Sequence, residues 1–221
     1  MFVAFVGAMD VEIEYILKAL SNIKKEEYRG YTFYLGDRGN NKVVVTRSGV
    51  GKVNMAVALT ILLDKYHVDY VINSGIAGSY NSKIGSTSIS TEVAYYDFII
   101  PGYGFGVPRQ PNPYKPSDDI VKAAKEIYKD DKNIQFGKII SGDRFVTDIK
   151  DFGEYDYKNS VAVDMESASV AQVCYLFSTD FLIIRNVSDN LSAKEYNANE
   201  NTEPDNCAKI ALKFIDKYNK Y

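Results

Sequence analysis

The sequence predicts an α/β fold with a mixed, largely parallel sheet in one domain, and three observations carry that expectation. Apolar runs at residues 2–6, at 70–72 and at the start of the strand 181–187 have the character of strands buried on both faces. Segments with apolar residues at helical spacing stand between such runs. The 221 residues, 46% of them hydrophobic, suffice for one large core.

The elements follow in order. The strand at 2–6 leads through a tight turn into a helix over 10–20, where Val11, Ile13, Ile16, Leu17 and Leu20 share a face. Residues 31–35 and 42–46 read as a hairpin joined through 36–41, and 52–66 as a strong helix. After the strand at 70–72, the small residues 74–79 read as a turn, and 87–94 as a strand. Residues 95–116 are rich in aromatics, Gly and Pro without helical period, which marks a long functional loop or a partner surface. Helices are expected over 118–128, 165–176 and 205–218, a strand over 134–140, an apolar run at 161–163, and an Asn-rich loop over 196–201. No internal repeat or low-complexity stretch interrupts this alternation.

Composition narrows the function. A net charge of −3 without a basic cluster offers no electrostatic footprint for nucleic acid, so a small molecule is the expected partner. Cys174 and Cys207 lack metal-ligand spacing and His67 is the single histidine; neither a zinc site nor a histidine-dependent triad is expected, and no cofactor is implied. The apolar start lacks a charged n-region and is too short for a secretory signal or a membrane span. A soluble, reducing, cytoplasmic setting is expected, with no membrane partner.

Three carboxylates stand where strands end: Glu12 after the first strand, Glu166 after the run at 161–163, and Asp189 after the strand at 181–187. Ligands of open α/β sheets bind outside the carboxyl ends of strands, so acids collected there suggest a site. Singly, each has an ordinary role as a first-turn acid or a cap. The turn at 74–79 lets backbone N–H groups approach a ligand, whereas Gly49-Val50-Gly51-Lys52 lacks the upstream Gly and the following Ser/Thr of a phosphate loop and reads as a helix-opening turn.

Six motifs join these fragments: Gly7-Ala8-Met9-Asp10-Val11-Glu12, Ser48-Gly49-Val50-Gly51-Lys52, Asn73-Ser74-Gly75-Ile76-Ala77-Gly78, Ser141-Gly142-Asp143-Arg144-Phe145-Val146, Asp164-Met165-Glu166 and Arg185-Asn186-Val187-Ser188-Asp189. In order and spacing they resemble the nucleoside phosphorylase/hydrolase superfamily over nearly the whole chain. The opening Gly-Ala-Met-Asp-x-Glu is most similar to its 5′-methylthioadenosine/S-adenosylhomocysteine nucleosidases. The resemblance implies a nucleoside phosphorylase-like three-layer α/β/α fold and hydrolysis of the N-glycosidic bond of an adenine nucleoside by water. Asp189 would protonate N7 of adenine with Ser188 holding it, and Glu12 would activate the water with Arg185 setting its charge state. Glu166 would accept hydrogen bonds from the ribose hydroxyls and Met165 would pack on the sugar. Phe145 would stack on the purine, the Val146 backbone would pair with its edge, and Ala77 and Gly78 would also contact substrate. Met9, Val50, Ile100, Tyr103 and Phe105 align with the alkylthio pocket, part of which comes in that family from the second subunit of a homodimer; Tyr196 would close the pocket from the other side.

Three positions depart from the family pattern. Ile76 stands where those nucleosidases usually carry Ser, Asp164 where they carry Glu, and Asn73 where related phosphorylases place a phosphate-binding Arg. Loss of that cation disfavours phosphorolysis, because a dianion needs charge-assisted donors. A purine nucleoside phosphorylase, a futalosine-type hydrolase and a non-catalytic nucleoside-binding protein remain the alternatives.

Overall fold

The computed structural model describes residues 1–200 and 203–218. It begins with β1 (Phe2–Gly7), α1 (Asp10–Lys18) and three consecutive strands, β2 (Ser21–Tyr28), β3 (Tyr31–Arg38) and β4 (Asn41–Arg47). Next come α2 (Lys52–Lys65), β5 (Tyr70–Gly78), β6 (Thr87–Tyr95), the short β7 (Ile99–Ile100) and β8 (Gly104–Phe105), and α3 (Asp118–Ile127). The chain ends with β9 (Ile134–Ser141), β10 (Ser160–Asp164), α4 (Ser167–Leu176), β11 (Asp180–Asp189), α5 (Ala193–Asn199) and α6 (Glu203–Lys217).

Nine of these strands form one sheet in the order β10-β9-β6-β11-β5-β1-β4-β3-β2. Strands β4, β1, β5 and β11 are mutually parallel, β6 runs antiparallel to β11, and β2 and β3 finish one edge as an antiparallel meander. This is the mixed, largely parallel sheet expected. It is also curled: Val163 of β10 pairs with Gly78 of β5, closing β5, β11, β6, β9 and β10 into a ring.

Alternation along the central strands builds two cores. Val3 and Phe5 of β1, Tyr70 and Ile72 of β5, and Leu182 and Ile184 of β11 pack toward α1, α3 and α6. Their neighbours Ala4, Val6, Val71, Phe181 and Ile183 pack toward α2 and α4 on the other face. Both faces are therefore apolar, which is why these strands appear in the sequence as unbroken runs.

Several sequence expectations change. Arg38 pairs with Asn41, so the β3–β4 connection is Gly39 and Asn40 rather than the six residues 36–41. Residues 74–78 continue β5 instead of turning, because parallel pairing with β11 extends through them. Strand β2 was not foreseen: most of its side chains are exposed, so no apolar face announces it. The loop expected over 196–201 is largely α5, capped by Ser192, whose Oγ accepts from Glu195 N; residue 201 lies outside the described residues.

Phe214 of α6 is fully buried, stacks on Tyr218 at 4.9 Å and meets the edge of Tyr70 at 6.1 Å. Phe214→Ala is expected to lower unfolding stability by about 3–5 kcal/mol in urea titration, through lost transfer energy and the cavity left behind.

Candidate active site

The C-terminal ends of β1, β4, β5, β10 and β11 surround one cavity with an empty volume of about 650 Å³, mouth included. From the β1 end come Ala8, Met9 and Glu12; from the turn after β4, Val50; from β5, Ile76, Ala77 and Gly78. The loop after β9 contributes Arg144, Phe145 and Val146, the β10 end Asp164, Met165 and Glu166, the β11 end Ser188 and Asp189, and α5 Tyr196. All three strand-end acids are thus brought together.

Glu12 is held by backbone. Its Oε2 accepts from the N–H groups of Ala8 (2.6 Å) and Met9 (3.0 Å), and its Oε1 from that of Ile76 (3.2 Å). The carboxylate lies so close over Gly75 that a Cβ there would fall 2.1 Å from Oε1; that contact explains the small residue the sequence shows inside β5. The main chain of Ile76 thus supplies a bond to Glu12 although a side-chain hydroxyl is missing. Burial pushes the Glu12 carboxyl above its usual range, against the pull of the Arg185 charge and the three N–H donors.

Glu166 occupies the N-cap position of α4 but makes no capping bond. Its Oε1 accepts instead from Gly51 N at 2.7 Å. Gly51 has φ +98°, a conformation that favours glycine, and opens α2 directly, as expected of a helix-opening turn. Burial and the neighbouring Asp164 raise the Glu166 pKa, more than Arg185 lowers it. Asp189 keeps an ordinary turn bond, accepting from Ser192 N at 3.0 Å, and also accepts from Ser188 Oγ at 2.8 Å. Burial raises its pKa too, against these donors.

Arg185 lies beneath the cavity rather than in its wall, 2% exposed. Its Nε donates to Asp164 Oδ2 and one terminal nitrogen to Asn73 Oδ1, both at 2.6 Å, and the other to the Ile184 carbonyl. Its reach toward Glu12 is electrostatic only. At the mouth, the half-exposed Phe145 ring meets Tyr196 edge-on, with centroids 5.0 Å apart, and Tyr196 Oη stands 3.9 Å from Met9 Sδ.

Ile100, Tyr103 and Phe105 do not line this cavity: they sit on and between β7 and β8, where Tyr103 is exposed and Phe105 packs on Tyr155. Ala8, Ile76, Val163, Arg144 and Asp164 line it without having been expected among the catalytic or substrate-contacting residues. Of these, Asp164 left the clearest signal of its own, as an acid ending an apolar run 21 residues before an arginine it could pair.

Among the described residues no cluster of His, Cys, Asp and Glu could hold a metal ion. No helix among them is long and apolar enough to cross a membrane.

A curled α/β sheet whose strand ends aim buried carboxyls into one small-molecule cavity defines the class of protein, an α/β protein with an acid-lined binding site. The phosphorylase superfamily model matches residues 2–216, and the chain belongs to that family. A 5′-methylthioadenosine/S-adenosylhomocysteine nucleosidase from an Exiguobacterium species is 36% identical over 89% of this chain and 91% of its own. The crystal structure of the Colwellia psychrerythraea nucleosidase of the same name, in complex with adenine, superposes with TM-score 0.91 at 33% identity, covering 98% of this chain and 95% of that one. Futalosine hydrolase of Helicobacter pylori also has TM-score 0.91, at 25% identity over 99% of this chain and 98% of its own.

A raised carboxyl pKa adds stability that is complete below the unfolded value and is lost as pH rises through the folded one. Glu12, Glu166 and Asp189 all act in this sense. Glu166→Gln keeps an acceptor for Gly51 N without a buried charge. Its Tm is expected to match wild type near pH 4 and to exceed it by about 2–4 °C at pH 8 in scanning calorimetry.

Proposed function

We propose that this cavity hydrolyses the N-glycosidic bond of 5′-methylthioadenosine or S-adenosylhomocysteine, releasing adenine and a 5-thio-substituted ribose. The observation that carries the reading is the convergence of Glu12, Glu166 and Asp189, each buried and hard to ionise, in one cavity of a chain whose relatives bear that enzyme name. Cleavage needs a protonated leaving base and an activated water, and it passes through a cation-like ribosyl group.

Asp189, inclined by burial to keep its proton, donates to N7 of adenine, with Ser188 fixing the carboxyl. Glu12 takes the proton of the attacking water. Its three backbone donors hold the carboxylate in one orientation, and the buried charge of Arg185 favours the ionised form. Glu166 accepts from the ribose hydroxyls and Met165 packs on the sugar. Phe145 stacks on the base, the Val146 backbone meets its edge, and Ala77 and Gly78 floor the site. Met9, Val50 and Tyr196 border the thio substituent.

Hydrolysis is favoured over phosphorolysis by where the cations are. Arg185 is committed to Asp164 and Asn73, and Arg144, the one cation in the cavity wall among the described residues, is paired with Asp151 at 2.6 Å. Among the described residues, no free cation in the cavity wall awaits a phosphate dianion. A non-catalytic binder would have no use for a buried proton donor beside a buried base.

We further propose a cytoplasmic homodimer acting as one nucleosidase-like unit over residues 1–221. The buried, unpaired thiols of Cys174 and Cys207 suit a reducing compartment. Exposed Val53, Val57, Ile99 and Tyr103 offer apolar surface to a second copy, whose Ile100, Tyr103 and Phe105 would complete the thio pocket.

Chromatography of wild type with 5′-methylthioadenosine is expected to yield adenine and a free thioribose with or without phosphate. Asp189→Asn is expected to lose about 10²- to 10⁴-fold in kcat while still binding the nucleoside. Adenine only with phosphate, alongside a sugar 1-phosphate, would make the protein a phosphorylase, and turnover of futalosine alone would move it to that hydrolase. Sedimentation velocity is expected to give twice the chain mass; a monomer retaining full activity would exclude a shared pocket.

A further inference from the structure

Beside the proposed catalytic acids, one buried carboxylate has no assigned task. Asp164, the last residue of β10, is 8% exposed and accepts hydrogen bonds on both oxygens. Oδ1 takes the N–H groups of Glu166 (3.3 Å) and Ser167 (3.1 Å) and the hydroxyl of Ser141. Oδ2 takes Arg185 Nε at 2.6 Å and the hydroxyl of Ser167. Ser141 Oγ in turn accepts from Ala168 N at 2.9 Å. Through these bonds Asp164 does for α4 what its N-cap residue Glu166 does not: it satisfies N–H groups of the first turn. Glu166 is left free to turn its carboxylate toward Gly51 and the cavity.

The other oxygen governs Arg185. With Nε on Asp164 and a terminal nitrogen on Asn73, the guanidinium is clamped at two points below the site. Asn73 is itself fixed by donating to the Val6 carbonyl at 2.7 Å. The groups around this guanidinium are Asp164 of β10, Glu12 of α1, Glu166 at the head of α4 and the Cys207 thiol of α6. Asp164 is the one that neutralises it by direct contact.

We infer that Asp164 is a positioning residue for the proposed hydrolysis: it holds the first turn of α4 so that Glu166 faces the ribose, and it holds and neutralises the guanidinium of Arg185 beneath Glu12. The inference rests on the nucleosidase reading and adds to it a residue at the cavity edge whose two carboxylate oxygens are both engaged by protein donors. In Asp164→Asn the Arg185 charge loses its counter-ion and acts instead on Glu12 and Glu166, holding both more strongly ionised. A more easily ionised Glu12 is a weaker base.

The test compares steady-state hydrolysis of 5′-methylthioadenosine by wild type, Asp164→Asn, Asp164→Glu and Ser141→Ala across pH 5–9. Asp164→Asn is expected to lose about 10- to 100-fold in kcat/KM, with the acidic limb of the profile moved to lower pH. Asp164→Glu, which keeps the charge, is expected to recover most of the rate and the wild-type limb. Ser141→Ala, which leaves the ion pair intact but loosens the α4 turn, is expected to raise KM about 3- to 10-fold with the limb unmoved. A folded Asp164→Asn with wild-type kcat, KM and limb would reduce Asp164 to a structural ion pair. Should Asp164→Asn fail to fold, wild-type kinetics in Ser141→Ala together with a displaced limb in Asp164→Glu would overturn the inference. Wild type inactive on both 5′-methylthioadenosine and S-adenosylhomocysteine would remove the nucleosidase reading, and this inference with it.

Discussion

A single buried guanidinium stands among three buried carboxylates, and much of the site's construction follows from that imbalance. Arg185 cannot be left unpaired in the interior, and Glu12, Asp164 and Glu166 cannot all be ionised there without compensation. One acid takes the arginine directly. The other two make do with backbone N–H groups and a charge at a distance, and their pKa values rise. The polar row from Ser141 through Asp164, Arg185 and Asn73 to the Val6 carbonyl ties together β9, β10, β11, β5 and β1. Loss of one partner in such a row leaves an uncompensated charge, which is far costlier than never having built the pair.

Backbone donors have an advantage over hydroxyls at this place. A Ser side chain must give up rotamer freedom to hold a carboxylate, while the N–H groups of Ala8, Met9 and Ile76 are already fixed by the elements that carry them. The arrangement makes the backbone itself the site's template, and it requires that position 75 carry no side chain. The same logic applies to Glu166, whose donor is the N–H of a glycine in a conformation that other residues rarely adopt.

The sequence makes legible what burial writes into it. Strands β1, β5 and β11 were readable because both faces are covered, and the helices between them because their apolar faces repeat. Strand β2 carries Lys24, Lys25, Glu26 and Glu27 along a sheet edge and shows no period, though charge is what protects such an edge from pairing with other chains. Residues 74–78 have the small-residue composition of a turn, whereas Gly75 is small to admit Glu12. The acids of the site were visible as motifs at strand ends. Their wiring was not: that Arg185 contacts Asp164 and not Glu12 depends on which side chains neighbouring strands present at one level, which no local pattern records. The residues on β7 and β8 were grouped with the pocket through family resemblance, and within one chain they stand apart from it.

The edge-on contact of Phe145 with Tyr196 sets how the cavity exchanges its contents. An aromatic pair of this geometry is worth about 1 kcal/mol, so thermal motion parts the rings in on the order of one molecule in ten. Traffic through the mouth then asks only for side-chain rotation, on the nanosecond scale, and leaves α5 and the bonds that anchor it intact. The doorway is a swinging one, and in the proposed function a nucleoside that seats its base beneath Phe145 would replace the ring contact it interrupts with another.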